Sequence, residues 1–359
     1  MQHPFFSGLK VVEFASVLAG PAVGMFLAEL GAEVVKIENK TTGGDVTRAW
    51  KQASEAPDSP ISAYWCSVNW GKKHRMLDLT DATDHAEALA LALAADVVIS
   101  NFKPSSAQKM GLDANTLRAQ NPRLIYAQLH SYADPEDESP AFDAILQAEA
   151  GFMYMNGEAE RAPVKMPVAL IDILAAHQLK EAILIALLHR ERTQEGSTVS
   201  TSLLESALAS LANQACNFLM NGQIPQRMGS QHPNIAPYGD TYRCADGETL
   251  LLAAGTERQF KQLAQALDLE TLLQNPDYQT NTARVIHREA LNTHLQSRLA
   301  QIPTAEALER FKKAGVPAAR IRDMQAVFDL PAAQAMILHE NTPEGTPTQR
   351  MKTIAFKIS

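Results

Sequence analysis

The sequence has little of several things. Three cysteines among 359 residues (Cys66, Cys216 and Cys244) are too few and too scattered for a disulfide framework, and their spacing suits no metal. The ten histidines show no paired-ligand spacing either, so no metal site is expected. Basic residues are in the minority. Against 40 Asp and Glu there are 32 Lys and Arg, an interspersed charge of −8 that offers no basic face to nucleic acid or to an anionic membrane. The opening MQHPFFSGLKVVEF lacks the basic and apolar regions of a secretory signal. No apolar run reaches membrane-spanning length; the longest, after Asp172, is broken by His177, Gln178, Lys180 and Glu181. A cytoplasmic protein that handles small molecules is the expectation.

What is present is an ordinary globular composition, 46% hydrophobic and 20% charged, in a chain long enough for two domains. LKVVEFA (9 to 15), a helical stretch and EVVKIEN form a βαβ pattern, and MLDL, DATDHAEALALALAA and DVVISNF (96 to 102) continue it. RLIYAQL (123 to 129) reads as a fourth strand. The fold class predicted is α/β: a Rossmann-like, mostly parallel sheet domain over 1–222, plus a smaller α+β domain over 242–324. The Pro-, Gly- and polar-rich segment 223–241 reads as the linker, and 325–359 returns to the first domain, closing with a strand in MKTIAFKIS. AlaAspGly before ETLLLAAG predicts a hairpin turn at Asp246 and Gly247.

One residue stands out within PVKMPVALIDILAAHQLKEAILIALL (163 to 188). Asp172 sits between Ile171 and Ile173 in a run built for burial, where an isolated carboxylate is costly. The plain reading is an N-cap for a helix starting at Ile173. The sharper one is a carboxylate held ionised by the helix dipole and poorly hydrated by apolar walls, a candidate nucleophile. Both can hold. The first βα turn, VLAGPAVG, has too few glycines for a dinucleotide fingerprint. Lysines and arginines gather at strand ends: Lys36, Lys40 and Arg48; Lys72, Lys73 and Arg75; Lys103 and Lys109. Such clusters are either solvated surface or the cations a polyphosphate needs. Asn101, Phe102 and Lys103 directly follow a strand, where a donor, an aromatic platform and a cation can meet a nucleotide. Asp143 opens a helix over 143–154 and reads as its cap. His130 ends a strand and is a weaker candidate, with a polar loop residue as the plainer reading.

Taken together and in order, FASVLAGPAVGMFLAELGAEVVKIENKTTGGDVTR, ADVVISNFKPSSAQKMGL, NPRLIYAQL, FDAILQAEAG, HPNIAPYGDTYRCADG and AGVPAARIRDM resemble the class III CoA-transferase family, which includes formyl-CoA transferase, carnitine CoA-transferase and α-methylacyl-CoA racemase. The resemblance runs from about residue 8 to the C-terminus. It implies a CoA-transferase moving CoA from an acyl-CoA to a small carboxylic acid, with no tightly bound cofactor and CoA thioesters as substrate and product. Asp172 would attack the thioester to give a mixed anhydride and then an aspartyl-CoA thioester. By position, the implied CoA contacts are Leu18 and Ala19; Asn39 and Lys40; Leu77, Asp78 and Thr80; Asn101, Phe102 and Lys103; Lys109; and the pair Phe142 and Asp143.

Leu18 stands where formyl-CoA transferase has glutamine, Asn39 where it has arginine, and PNIAPYG where it has a glycine-rich loop. These departures turn the expectation away from formyl and oxalate. The sequence names neither the acyl group nor the acceptor acid; short dicarboxylates such as succinate are one class, which free cations near the site would read through the second carboxylate. Phe142 stands where racemases carry a histidine, which favours transfer over the alternatives of an acyl-CoA racemase or lyase of the same fold, or a non-catalytic CoA binder. The family also implies an interlocked homodimer.

Overall fold

A computed structural model describes residues 4–342 and 345–358. The β-branched runs become six strands: β1 (Lys10–Glu13), β2 (Glu33–Asn39), β3 (Lys73–Leu77), β4 (Val97–Ser100), β5 (Ile125–His130) and β6 (Thr198–Ser202). They lie in the order β3-β2-β1-β4-β5-β6 and every neighbouring pair is parallel. This is a doubly wound α/β sheet, as the alternating pattern predicts. The winding reverses between β1 and β4, which opens a crevice at their carboxyl ends. β4 is buried at all four positions, as a central parallel strand must be.

Over residues 19–221 the described chain forms ten α-helices. In chain order they are α1 (Ala19–Glu29), α2 (Ala63–Cys66), α3 (Ala82–Leu93), α4 (Pro104–Lys109), α5 (Ala114–Gln120), α6 (Asp143–Glu149), α7 (Phe152–Met155), α8 (Leu170–Thr193), α9 (Leu203–Ala209) and α10 (Ala212–Asn221). α1 is buried along its whole length. Two glycines permit this: a Cβ on Gly20 would stand 2.3 Å from the Ala15 Cβ, and one on Gly24 would stand 1.9 Å from Glu13 Oε2. One core joins α1, α8 and α9 to the sheet through Val23, Leu27, Leu179, Ile183 and Ala207; another joins α3 and α5 through Ala88, Ala92 and Leu117. The α8 residues Ile171, Leu179 and Ile183 are fully buried. Each contributes roughly 2 kcal/mol, enough together to carry an ill-placed carboxylate on the same helix.

The chain divides into two compact units. The first is made by the described residues within Met1–Phe152, Lys165–Ile224 and Ala335–Ser359, the second by Met153–Val164 and Pro225–Gln334. In the second, β7 (Tyr238–Arg243), β8 (Thr249–Ala253) and β9 (Ala318–Arg320) form an antiparallel sheet. The turn between β7 and β8 carries Gly247 at φ +83, and the N–H of Cys244 donates to the carbonyl of Glu248. α11 (Glu257–Ala266), α12 (Asn281–Ile286), α13 (Arg288–Leu299), α14 (Thr304–Ala314), α15 (Met324–Phe328) and α16 (Pro331–Gln334) belong to the same unit, with Phe260, Leu291 and Phe311 in its core.

Four local expectations are corrected. The segment 223–241, read as linker, already contains the start of β7, where buried Asp240 meets Arg288 at 3.4 Å. The helix read over 143–154 is two helices, because the chain turns at Gly151 with φ +82. The helix read from Ile173 starts at Leu170. MKTIAFKIS is not a strand beyond Met351: β10 (Ile337–Asn341) pairs with β11 (Pro347–Met351), and then Ile354 enters the first core. The N–H groups of Thr353 and Ile354 donate to Glu29 there. Ser359 lies outside the described residues.

Candidate active site

At the crevice between β1 and β4 the first unit has a cavity of about 380 Å³, lined by Val17, Leu18, Ala19, Asn101, Phe142 and Asp172 among others. A second cavity of about 780 Å³ lies over the ends of β2 and β3 and is lined by Asn39, the loop 41–46, Leu77, Asp78 and Thr80. Ser16, Val46 and Phe102 line both.

Asp172 is the third residue of α8, not its cap. The cap position is Ala169, which offers no side-chain acceptor. The cap comes from elsewhere in the chain: the N–H of Ile171 donates to Asp143 Oδ1 at 2.7 Å. Asp143 is likewise no cap of its own helix, for Phe142 holds that position. Gln147 Nε2 donates to Asp143 Oδ2 at 2.6 Å, and the N–H of Met166 donates to Gln147 Oε1 at 2.8 Å. Thus the N-terminus of α8 is pinned to α6 by one buried network.

Among the described residues, none donates a hydrogen bond to the Asp172 carboxylate, which is only 8% exposed. Burial, and after it the neighbouring Asp143 charge, push its pKa up to about 7. Both causes act against the helix N-terminus, which favours the ionised form. A basic, poorly solvated carboxylate on a cavity wall can attack an electrophilic carbonyl or take a proton. Tyr64 of α2 senses the same charges: burial, then Asp172, Asp143 and Asp45, push its hydroxyl up to about 12. Neither Tyr64 nor Asp45 was marked by the sequence reading, since a tyrosine before a tryptophan and an aspartate after two glycines carry no spacing signal.

The basic clusters separate by burial. Lys36 and Lys72 are buried and already paired: Lys36 Nζ lies 2.8 Å from Glu13 and 3.1 Å from Asp45, and Lys72 Nζ 2.7 Å from Glu13. Arg48 is held by Glu38. Lys40, Lys103 and Lys109 are exposed, Lys40 with Asp84 at 3.4 Å. Lys103 lines the smaller cavity, and its Nζ donates to the carbonyl of Glu138 at 2.8 Å. Asn101 exchanges hydrogen bonds with the backbone of Ser16, and Phe102 packs on Phe14 at 5.5 Å. Asn39 caps a short turn by accepting from Thr41, and Asp78 accepts from Thr80. His130 also lines the smaller cavity, its pKa lowered by burial. No group of three His, Cys, Asp or Glu among the described residues is placed to hold a metal, and none of the described helices is long and apolar enough to cross a membrane.

Residues 6–359 match the sequence model of CoA-transferase family III. The chain is 37% identical over 339 residues to the succinate–glutarate CoA-transferase of Agrobacterium fabrum, covering 93% of this chain and 84% of that one. It is 34% identical to the succinyl-CoA:mesaconate CoA-transferase of Haloarcula hispanica, covering 90% and 82%. A crystal structure of a CaiB/BaiF family protein from Brucella suis superposes with a TM-score of 0.83 at 36% identity, over 100% of this chain and 93% of that one.

Proposed function

This chain belongs to CoA-transferase family III, and from that premise we propose that it carries CoA from an acyl-CoA thioester to a short dicarboxylic acid through covalent intermediates on Asp172. The observation that carries the reading is the isolated, basic carboxylate of Asp172 on a cavity wall. A carboxylate oxygen attacks the thioester carbonyl, the carbon–sulfur bond breaks, and CoA thiolate leaves a mixed anhydride. The thiolate then attacks the aspartyl carbonyl, releasing the donor acid and leaving an aspartyl-CoA thioester. The acceptor carboxylate repeats the exchange in reverse order, and Asp172 is regenerated. Each step trades one activated acyl bond for another, so the protein has to supply donors for the developing oxyanions and exclude water.

The CoA contacts proposed are Leu18, Ala19, Asn39, Lys40, Leu77, Asp78, Thr80, Asn101, Phe102, Lys103, Lys109 and Phe142. Two cavities sharing Phe102 give one ligand room for an acyl end and a nucleotide end. Asp143 is proposed with them; within the chain its oxygens accept from Gln147 Nε2 and from the N–H of Ile171, beside Asp172. Succinate, glutarate and mesaconate in the relatives' names support the dicarboxylate class. We take the working assembly to be a homodimer of interlocked chains.

Intact-protein mass spectrometry after mixing with succinyl-CoA tests the reading. A CoA-sized adduct on the peptide containing Asp172, discharged by hydroxylamine and missing in Asp172→Asn, is expected. Turnover by Asp172→Asn at a substantial fraction of the parent rate would overturn it.

A further inference from the structure

We propose that Asp45 is a positioning residue of the transfer reaction: it holds Val17 in a left-handed backbone conformation and thereby sets the first peptide groups of α1 at the wall that also carries Asp172. The inference rests on Asp172 as the reacting carboxylate. Val17 has φ +73. Among the described non-glycine residues with positive φ, the others are Gln194, Ala212 and Asp268, so Val17 alone is β-branched. That conformation is a true outlier for a branched side chain and persists only where the surroundings over-determine it.

The surroundings are visible. The N–H of Val17 donates to both oxygens of Asp45, at 3.4 and 3.2 Å. Asp45 is 5% exposed and also accepts from the N–H and hydroxyl of Thr47, at 3.0 and 2.8 Å. Behind it, Lys36 Nζ lies 3.1 Å from Asp45 and 2.8 Å from Glu13, and Lys72 Nζ 2.7 Å from Glu13. Two cations and two anions alternate in this row, and all four residues are buried. Such a row is neutral as a whole and resists the loss of any member, because removal strands a buried charge. On the other side of Val17, Asn101 grips the N–H and carbonyl of Ser16, both at 3.2 Å.

The turn is thus clamped from two directions at a point where packing alone would relax it. The N–H groups of the next two residues, Leu18 and Ala19, have no acceptor among the described residues, and both residues line the cavity with Asp172. Donors fixed in advance stabilise charge that develops during reaction more than they stabilise bound substrate. Releasing Val17 to negative φ swings those donors. The loss therefore falls on kcat and spares KM.

A double-mutant cycle tests this with succinyl-CoA and glutarate as substrates. Asp45→Ala should lower kcat roughly tenfold, with KM for succinyl-CoA changing far less. In the background of Val17→Gly the same change should cost less than roughly twofold, because glycine reaches φ +73 without strain. Asp45→Asn keeps an oxygen for the Val17 N–H but loses the charge facing Lys36; it should show a smaller loss with the same sensitivity to Val17→Gly, and it serves if Asp45→Ala does not fold. Equal losses in the Val17 and Gly backgrounds, or a loss confined to KM, would overturn the positioning role. Asp172→Asn is run beside the cycle. If that variant is inactive while the cycle is additive, the positioning role fails and the covalent reading stands; if it turns over, the covalent reading itself fails.

Discussion

At the residue scale the deciding number is the proton affinity of Asp172. Its carboxyl titrates near 3.8 when solvated and at about 7 in the fold, with burial as the first cause and Asp143 as the second. A group whose folded pKa is raised binds its proton more tightly when folded, so the fold loses stability as pH rises between the two values. Asp172→Asn removes that loss. At pH 8 the variant should be more stable than the parent by as much as ~4 kcal/mol, and the difference should shrink toward zero below about pH 4. Urea unfolding at several pH values reads it directly. A variant less stable than its parent at pH 8 would mean that Asp172 has a favourable partner in solution. The same basicity would serve the proposed reaction: a carboxylate of pKa near 7 is a better nucleophile than one near 4, and transfer should rise with pH through neutrality. An apolar neighbourhood was legible in IDILAAH. The sign of its effect was not, since capping and burial push a carboxylate in opposite directions and only the depth of burial decides.

At the element scale, α8 obtains its cap from α6, across 28 residues of sequence. Losing that acceptor in Asp143→Ala should cost ~1 kcal/mol, as for an ordinary cap. It also removes a negative charge beside Asp172, so the pH midpoint of kcat/KM should fall. Thermal unfolding checks the first effect and a pH–rate profile the second; a midpoint that stays or rises would show that Asp143 does not act on Asp172 through charge. The strands of the sheet and the long helix were legible because their periods are carried by adjacent residues. Caps supplied from a distance, the breaks at Gly151 and Met351, and the left-handed Val17 were not, because nothing local announces them. The basic clusters were misleading for the same reason: Lys36 and Lys72 look like Lys40 and Lys103 in sequence, and burial alone separates them.

At the scale of the whole molecule, the first unit leaves large apolar side chains uncovered on two helices. Ile185 and Leu188 of α8 are 69% and 54% exposed, and Leu219 and Met220 of α10 are 77% and 80% exposed. A monomer seldom carries so much uncovered aliphatic surface without a partner. The homodimer proposed above would supply that partner, and its interlocked form makes a sharper claim than burial alone. Chains that thread through one another cannot part without extensive unfolding, so folding and assembly are one event. Sedimentation at nanomolar protein should then give twice the mass of one chain, and two differently tagged preparations, mixed while folded, should not exchange subunits over days. After unfolding and joint refolding, the same two preparations should form mixed dimers. Exchange without unfolding would leave a dimer joined by a surface contact and would remove the interlock. A compact folded monomer at that dilution would remove the dimer as well, while the chemistry assigned to Asp172 would stand on its own test.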